Sequence, residues 1–112
     1  MTENDFRKLA LSLPEATEGE HMDHPDFRVR GKIFATIVPD RTGAMVKLTP
    51  EQQEAFVESD PKVFQPIRGG WGKRGATKVI LTAAKKQILL PALVTAWRNT
   101  APKKLSDSFE NP

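Results

Sequence analysis

The chain has 112 residues, 38% of them apolar, a formal charge of +3 and no cysteine. That length supports one hydrophobic core and not two, and the missing cysteines exclude a disulfide framework, a thiolate nucleophile and a zinc ribbon. No run of about 18 apolar residues is present to span a membrane, and the opening MTENDFRK lacks the order of a secretory signal, so a soluble, cytoplasmic protein is expected.

Thr2 is placed to cap a first helix, with Glu3 and Asp5 complementing its dipole and Phe6, Leu9, Ala10 and Leu13 at helical spacing until Pro14 ends it. PEATEGEH follows, and its polar surroundings make Glu15, Glu18 and Glu20 a solvated loop rather than an acid/base pair. FRVRGKIFATIV reads as two strands joined at Arg30-Gly31, a hairpin with cations on one face. PDRTGA is a turn by composition, and AMVKL alternates as the next strand. Thr49, Pro50 and Gln52 form a capping-box start for a short helix that ends near Asp60-Pro61. KVFQPI suits an edge strand, because Pro66 has no N–H for a ladder. Gly69 to Gly75 is a loop and ATKVILT the last strand. A final helix runs from about Ala83 to Asn99, with Ile88, Leu89, Ala92, Leu93, Ala96 and Trp97 on one stripe and Pro91 expected to kink or interrupt it. APKKLSDSFENP reads as a polar, frayed tail, so a single domain is assigned to residues 1–105 and a tail to 106–112. Antiparallel connections with interspersed helices make the fold α+β, an antiparallel sheet with helices on one face and the other partly open.

Charge is segregated along the chain. Met1 to Phe27 holds seven acids and two cations, a net of −5, so the remainder carries +8. Between Asp60 and Asp107 there is no acid, while ten lysines and arginines occur. Such a block either solubilises the protein or presents a positive face to polyanions.

The stretch GGWGKRGATKVIL resembles a phosphate-binding loop only superficially. Ala76 stands where lysine would reach the phosphates, and the segment leads into a strand and not a helix. Trp71 either folds onto the core or the sheet edge or, beside Lys73 and Arg74 on a glycine loop, stacks a base next to a gripped phosphate backbone. His21 and His24 are spaced H-x-x-H, a spacing that in a strand or loop leaves the imidazoles on different faces, and with no third His or Cys no metal site is expected. The serines have no elbow motif around them, and no catalytic constellation is found. Arg28 and Arg30 are expected on one face, with Lys47 and Lys78 beside them if register allows, which outlines a nucleic-acid platform.

HPDFRVRGKIFATI, AMVKLTPEQQEAF and GGWGKRGATKVIL, followed by a helix ending AWRNTAPKKL, closely resemble the MmcQ/YjbR-like family over roughly Phe6 to Leu105. The resemblance implies a compact α+β fold similar in outline to frataxin and to type III secretion chaperones, with a double-wing motif proposed to bind DNA. Frataxin-like iron binding rests on acidic helical ridges, and here the first helix has only Glu3 and Asp5 beside Arg7 and Lys8. The expectation is a monomeric, non-enzymatic DNA-binding protein without metal or cofactor. Its contacts are mainly to phosphate, through Arg28, Arg30, Lys32, Lys47, Lys73, Arg74 and Lys78, with Trp71 as a stacking group. The alternative is a protein-interaction adaptor or chaperone-like module using the sheet face or a groove beside Trp71.

Overall fold

The computed structural model describes residues 1–110. Helix α1 (Glu3–Leu11) leads into three consecutive strands, β1 (Ala16–His21), β2 (His24–Val29) and β3 (Lys32–Ile37). Then come β4 (Ala44–Lys47), α2 (Pro50–Ser59), β5 (Phe64–Pro66), the one-turn α3 (Gly70–Lys73), β6 (Ala76–Val79), α4 (Lys86–Thr100) and α5 (Lys103–Ser108). All strand pairs are antiparallel and form one sheet in the order β1-β2-β3-β4-β6-β5. The fold is therefore α+β.

Local chemistry explains the element boundaries. Thr2 and Asp5 form a reciprocal capping box at the start of α1, and Thr49 and Gln52 form another at the start of α2, where Pro50 gives up an N–H that would have no helical partner. Arg30 (φ 51°) and Gly31 (φ 80°) make the tight turn between β2 and β3, whose positive φ angles match the twist of the paired strands. The stripe on α4 buries Leu89, Ala92, Leu93, Ala96 and Trp97 against the sheet, and α1 adds Phe6, whose ring lies 5.8 Å from that of Phe27. Facing them are Phe27, Val29, Ala35, Ile37, Ala44, Val46, Val79 and Phe64, all inaccessible to solvent. Each large apolar side chain so buried contributes about 1.5–3 kcal/mol.

Several expectations are corrected. The acidic segment after Pro14 is not a loop: Ala16 to His21 pairs residue for residue with β2 as the edge strand, and Arg7 on α1 holds Glu18 at 2.9 Å. Helix α4 starts at Lys86 and runs without interruption through Pro91 to Thr100. The C-terminal segment is folded through α5, and Phe109 packs edge-on against buried Trp97, ring centres 5.1 Å apart, while Arg98 donates to the carbonyls of Ser106 and Phe109. Asn111 and Pro112, assigned to a tail by sequence, lie outside the described residues.

Candidate nucleic-acid interface

The register of the sheet decides which side chains share its open face. One row crosses all six strands, through Gly19, Asp26, Thr36, Met45, Lys78 and Gln65. It contains one cation and one buried carboxylate, so the middle of the sheet face is not a basic platform. Arg28 and Arg30 do not act as a pair of free cations. The chain bulges opposite Phe27 and Arg28, and the Arg28 guanidinium folds back onto Asp26, donating from Nε at 2.7 Å and from a terminal nitrogen at 2.9 Å. Arg30 sits in the turn instead of the strand and donates to both carboxylate oxygens of Glu15, at 2.5 and 3.0 Å.

Asp26 is the centre of a small polar cluster. Its side chain has no solvent exposure, and His21 Nδ1 lies 2.9 Å from the oxygen that also accepts from Arg28. The Arg28 guanidinium holds the Asp26 carboxyl below the usual carboxylate range; burial opposes this, and the His21 contact adds to it. Gly19 leaves the space these groups occupy, since a Cβ there would lie 2.8 Å from the carboxylate. The tight turn at Met22-Asp23 reverses the chain, so His21 and His24 are cross-strand partners with ring centres 4.3 Å apart. The imidazoles share a face, contrary to the reading from spacing alone. Among the described residues, no group of three or more His, Cys, Asp and Glu is placed to hold a metal ion.

The cations converge elsewhere. An open groove of about 700 Å³ lies at one end of the sheet, lined by Lys32 and Ile33 from β3, Lys47 from β4, Leu48, Thr49 and Pro50 leading into α2, Trp71 and Arg74 around α3, and Asn99 near the end of α4. Lys32, Lys47, Trp71 and Arg74, four of the eight residues singled out by sequence, meet there. No Asp or Glu lines it among the described residues, and none forms an ion pair with these three cations.

Its geometry is set by backbone packing. Gly72 lies so close to Ile67 that a Cβ would come within 1.6 Å of that carbonyl oxygen. Gly75, at φ 111°, is equally tight against the Leu48 carbonyl, where a Cβ would approach to 1.9 Å. From α2, Gln53 donates its side-chain N–H groups to the carbonyls of Gly72 and Ala76, both at 3.0 Å, so the turn carrying Trp71 is fastened from two sides. Asn99 donates to the Lys47 carbonyl at 3.1 Å and to the Gln52 side chain at 2.7 Å, joining α4, β4 and α2 at the floor of the groove. Sequence reasoning missed Asn99, because the contact spans the chain and leaves no local signature.

Trp71 is not folded onto the core. It is 66% exposed, with the Arg74 guanidinium 5.7 Å from its ring centre, whereas the other tryptophan, Trp97, is fully buried and donates its indole N–H to the Pro14 carbonyl. Lys73 is exposed on α3 without lining the groove. Lys78 points into a separate depression beside Asp40 and Arg68. The Asp40 carboxyl is held below its ordinary value chiefly by hydrogen bonds from Thr42, with a smaller contribution from the Lys78 charge. No described helix is long and apolar enough to cross a membrane.

A search of curated proteins finds none that matches the chain. Among solved structures, the Deinococcus radiodurans protein DR2400, with the family-model domain DUF419, is similar at a TM-score of 0.69 and 21% identity, over 88% of this chain and 77% of that one. At that identity the likeness is one of fold. The YjbR family model matches residues 11–99, from the end of α1 to near the end of α4, and takes in every described strand and the groove residues Lys32, Lys47, Trp71, Arg74 and Asn99. The chain belongs to the YjbR family.

Proposed function

We propose that the protein binds DNA without catalysing a reaction, and that the groove at Lys32, Lys47 and Arg74 is where it grips the phosphate backbone. The observation that carries this is the convergence of unpaired cations from three separate chain segments on one concave surface with no lining carboxylate among the described residues. Such an arrangement attracts a polyanion and contacts it without reading base sequence. Arg28 and Arg30 contribute less than their position in the sequence suggests, because Asp26 and Glu15 already neutralise them. Lys73 is exposed on α3 next to Arg74 and adds to the field of the groove, whereas Lys78 lines a different depression, beside Asp40. This narrows the double-wing DNA-binding role implied by the family resemblance to one end of the sheet.

The reading is of a cytoplasmic monomer. The edge strands carry Glu18 and Glu20 on β1 and Pro66 on β5, devices that discourage pairing between copies. A nuclear magnetic resonance titration with a short DNA hairpin tests the location. Amide shifts are expected at Lys32, Lys47, Trp71 and Arg74 and not along the outer side of α4; the reverse pattern sinks the assignment.

One observation favours a second reading, the protein-binding adaptor. A cavity of about 800 Å³ beside α4 is lined by Leu90, Pro91 and Val94 together with Lys86, Gln87, Thr95 and Arg98, apolar area with a few polar groups, the combination that takes a peptide side chain. Shifts confined to that cavity on adding a partner protein, with none from DNA, would put the adaptor first.

A further inference from the structure

The groove holds more than phosphate-binding charge. Trp71 is a large flat apolar ring left two-thirds exposed in a protein whose other tryptophan is wholly buried. An exposed ring of this size leaves apolar area in water that a stacked partner would cover. Nor is it loosely held. Gly72 and Gly75 pack directly on the Ile67 and Leu48 carbonyls, and Gln53 ties down the carbonyls of Gly72 and Ala76. Little further ordering of the backbone is needed when something stacks on the ring. The Arg74 guanidinium already lies against that ring, 5.7 Å from its centre, and is close enough to serve the indole and a phosphate together. Lys32 and Lys47 line the same groove.

We propose that this groove selects single-stranded DNA over duplex by stacking one unpaired base on Trp71 while Arg74, Lys32 and Lys47 hold the phosphates flanking it. The inference rests on the DNA-binding reading above and adds the class of substrate. A duplex keeps its base faces inside its own stack and offers the groove only phosphate and sugar, so Trp71 gains nothing from it. An unpaired strand meets both the ring and the charges. The Asn99 amide, which could otherwise read a base edge, is hydrogen-bonded to the Lys47 carbonyl and to Gln52, and every base has a face that an aromatic ring can stack on. Stacking is therefore tolerant of sequence.

The test uses the full chain and three labelled probes: an oligothymidylate, the same strand with abasic sites in place of its bases, which matches it in length and charge, and a duplex of the same length, which carries twice the charge. Binding is read by anisotropy and by intrinsic fluorescence, which on binding reports Trp71 because Trp97 is buried. The oligothymidylate is expected to bind about 10-fold more tightly than the abasic strand, the equivalent of one stacked base, and to quench the fluorescence. Trp71→Ala should erase that difference, and Trp71→Phe should restore part of it; both changes are at an exposed site and leave the core intact. Equal affinity for intact and abasic strands, or an oligothymidylate affinity indifferent to Trp71→Ala, overturns the stacking proposal while leaving phosphate binding in place. Tighter binding to the duplex has the same effect. Failure to bind any of the three overturns the DNA-binding reading itself and the stacking proposal with it.

Discussion

Asp26 shows how one residue alters the meaning of its neighbours. In the sequence it is one more acid ahead of an arginine-rich strand. In the fold it is a fully buried carboxylate whose partners are Arg28 and His21, and it removes Arg28 from the set of available cations. Its pKa is depressed in the folded state, chiefly by Arg28, so the cluster stabilises the protein above the unfolded carboxyl value, about 3.9, and the contribution is lost as pH falls through the lower folded value. Asp26→Asn should therefore destabilise the protein by about 2 kcal/mol at neutral pH, and the gap between wild type and variant should narrow below about pH 4. Thermal melts of both proteins between neutral pH and pH 3 check this; a gap that stays constant across the range would mean that the charge of Asp26 does not matter. The spacing H-x-x-H gave a false lead for a related reason. Along a continuous segment that spacing separates the imidazoles, but the turn at Met22-Asp23 makes the two histidines neighbours across a ladder.

Elements with strong local signals were legible in the sequence, and those held by distant contacts were not. The Thr49-Pro50-Gln52 start of α2 and the Arg30-Gly31 turn carry their own chemistry, and both stand where the sequence puts them. Strand β1 has no apolar alternation, because as an edge strand it meets the rest of the protein mainly through its ladder with β2 and through the Arg7 to Glu18 ion pair. Helix α5 was equally hidden. Its six residues, Lys103 to Ser108, have no side-chain cap and no fully buried residue, so it depends on Phe109 packing against Trp97 and on Arg98 bonding back to the carbonyls of Ser106 and Phe109. Phe109→Ala should cost about 1–2 kcal/mol, in keeping with a partly buried aromatic contact. It should also raise amide exchange across α5 ahead of the sheet. Exchange in α5 that matches wild type would show that the helix does not need this contact.

Across the whole molecule, the sequence shows that positive charge is concentrated after residue 60 but not where it is displayed. The charges that converge come from both sides of that boundary, Lys32 and Lys47 before it and Arg74 after it. Only the sheet register, the close approach of α3 to the start of α2 and the Asn99 link bring them together. The glycine stretch that looks like a phosphate loop is instead a packing device that presents Trp71 and Arg74 at the groove. The decisive measurement is the salt dependence of DNA binding by wild type and by a variant carrying Lys32→Ala, Lys47→Ala and Arg74→Ala, followed by anisotropy of a labelled single strand. Wild-type affinity should weaken log-linearly with salt, and the variant should bind more weakly with a slope smaller by roughly 2, the loss of three phosphate contacts at about 0.7 each. An affinity and slope unchanged by the three substitutions would contradict the claim that this groove holds the DNA.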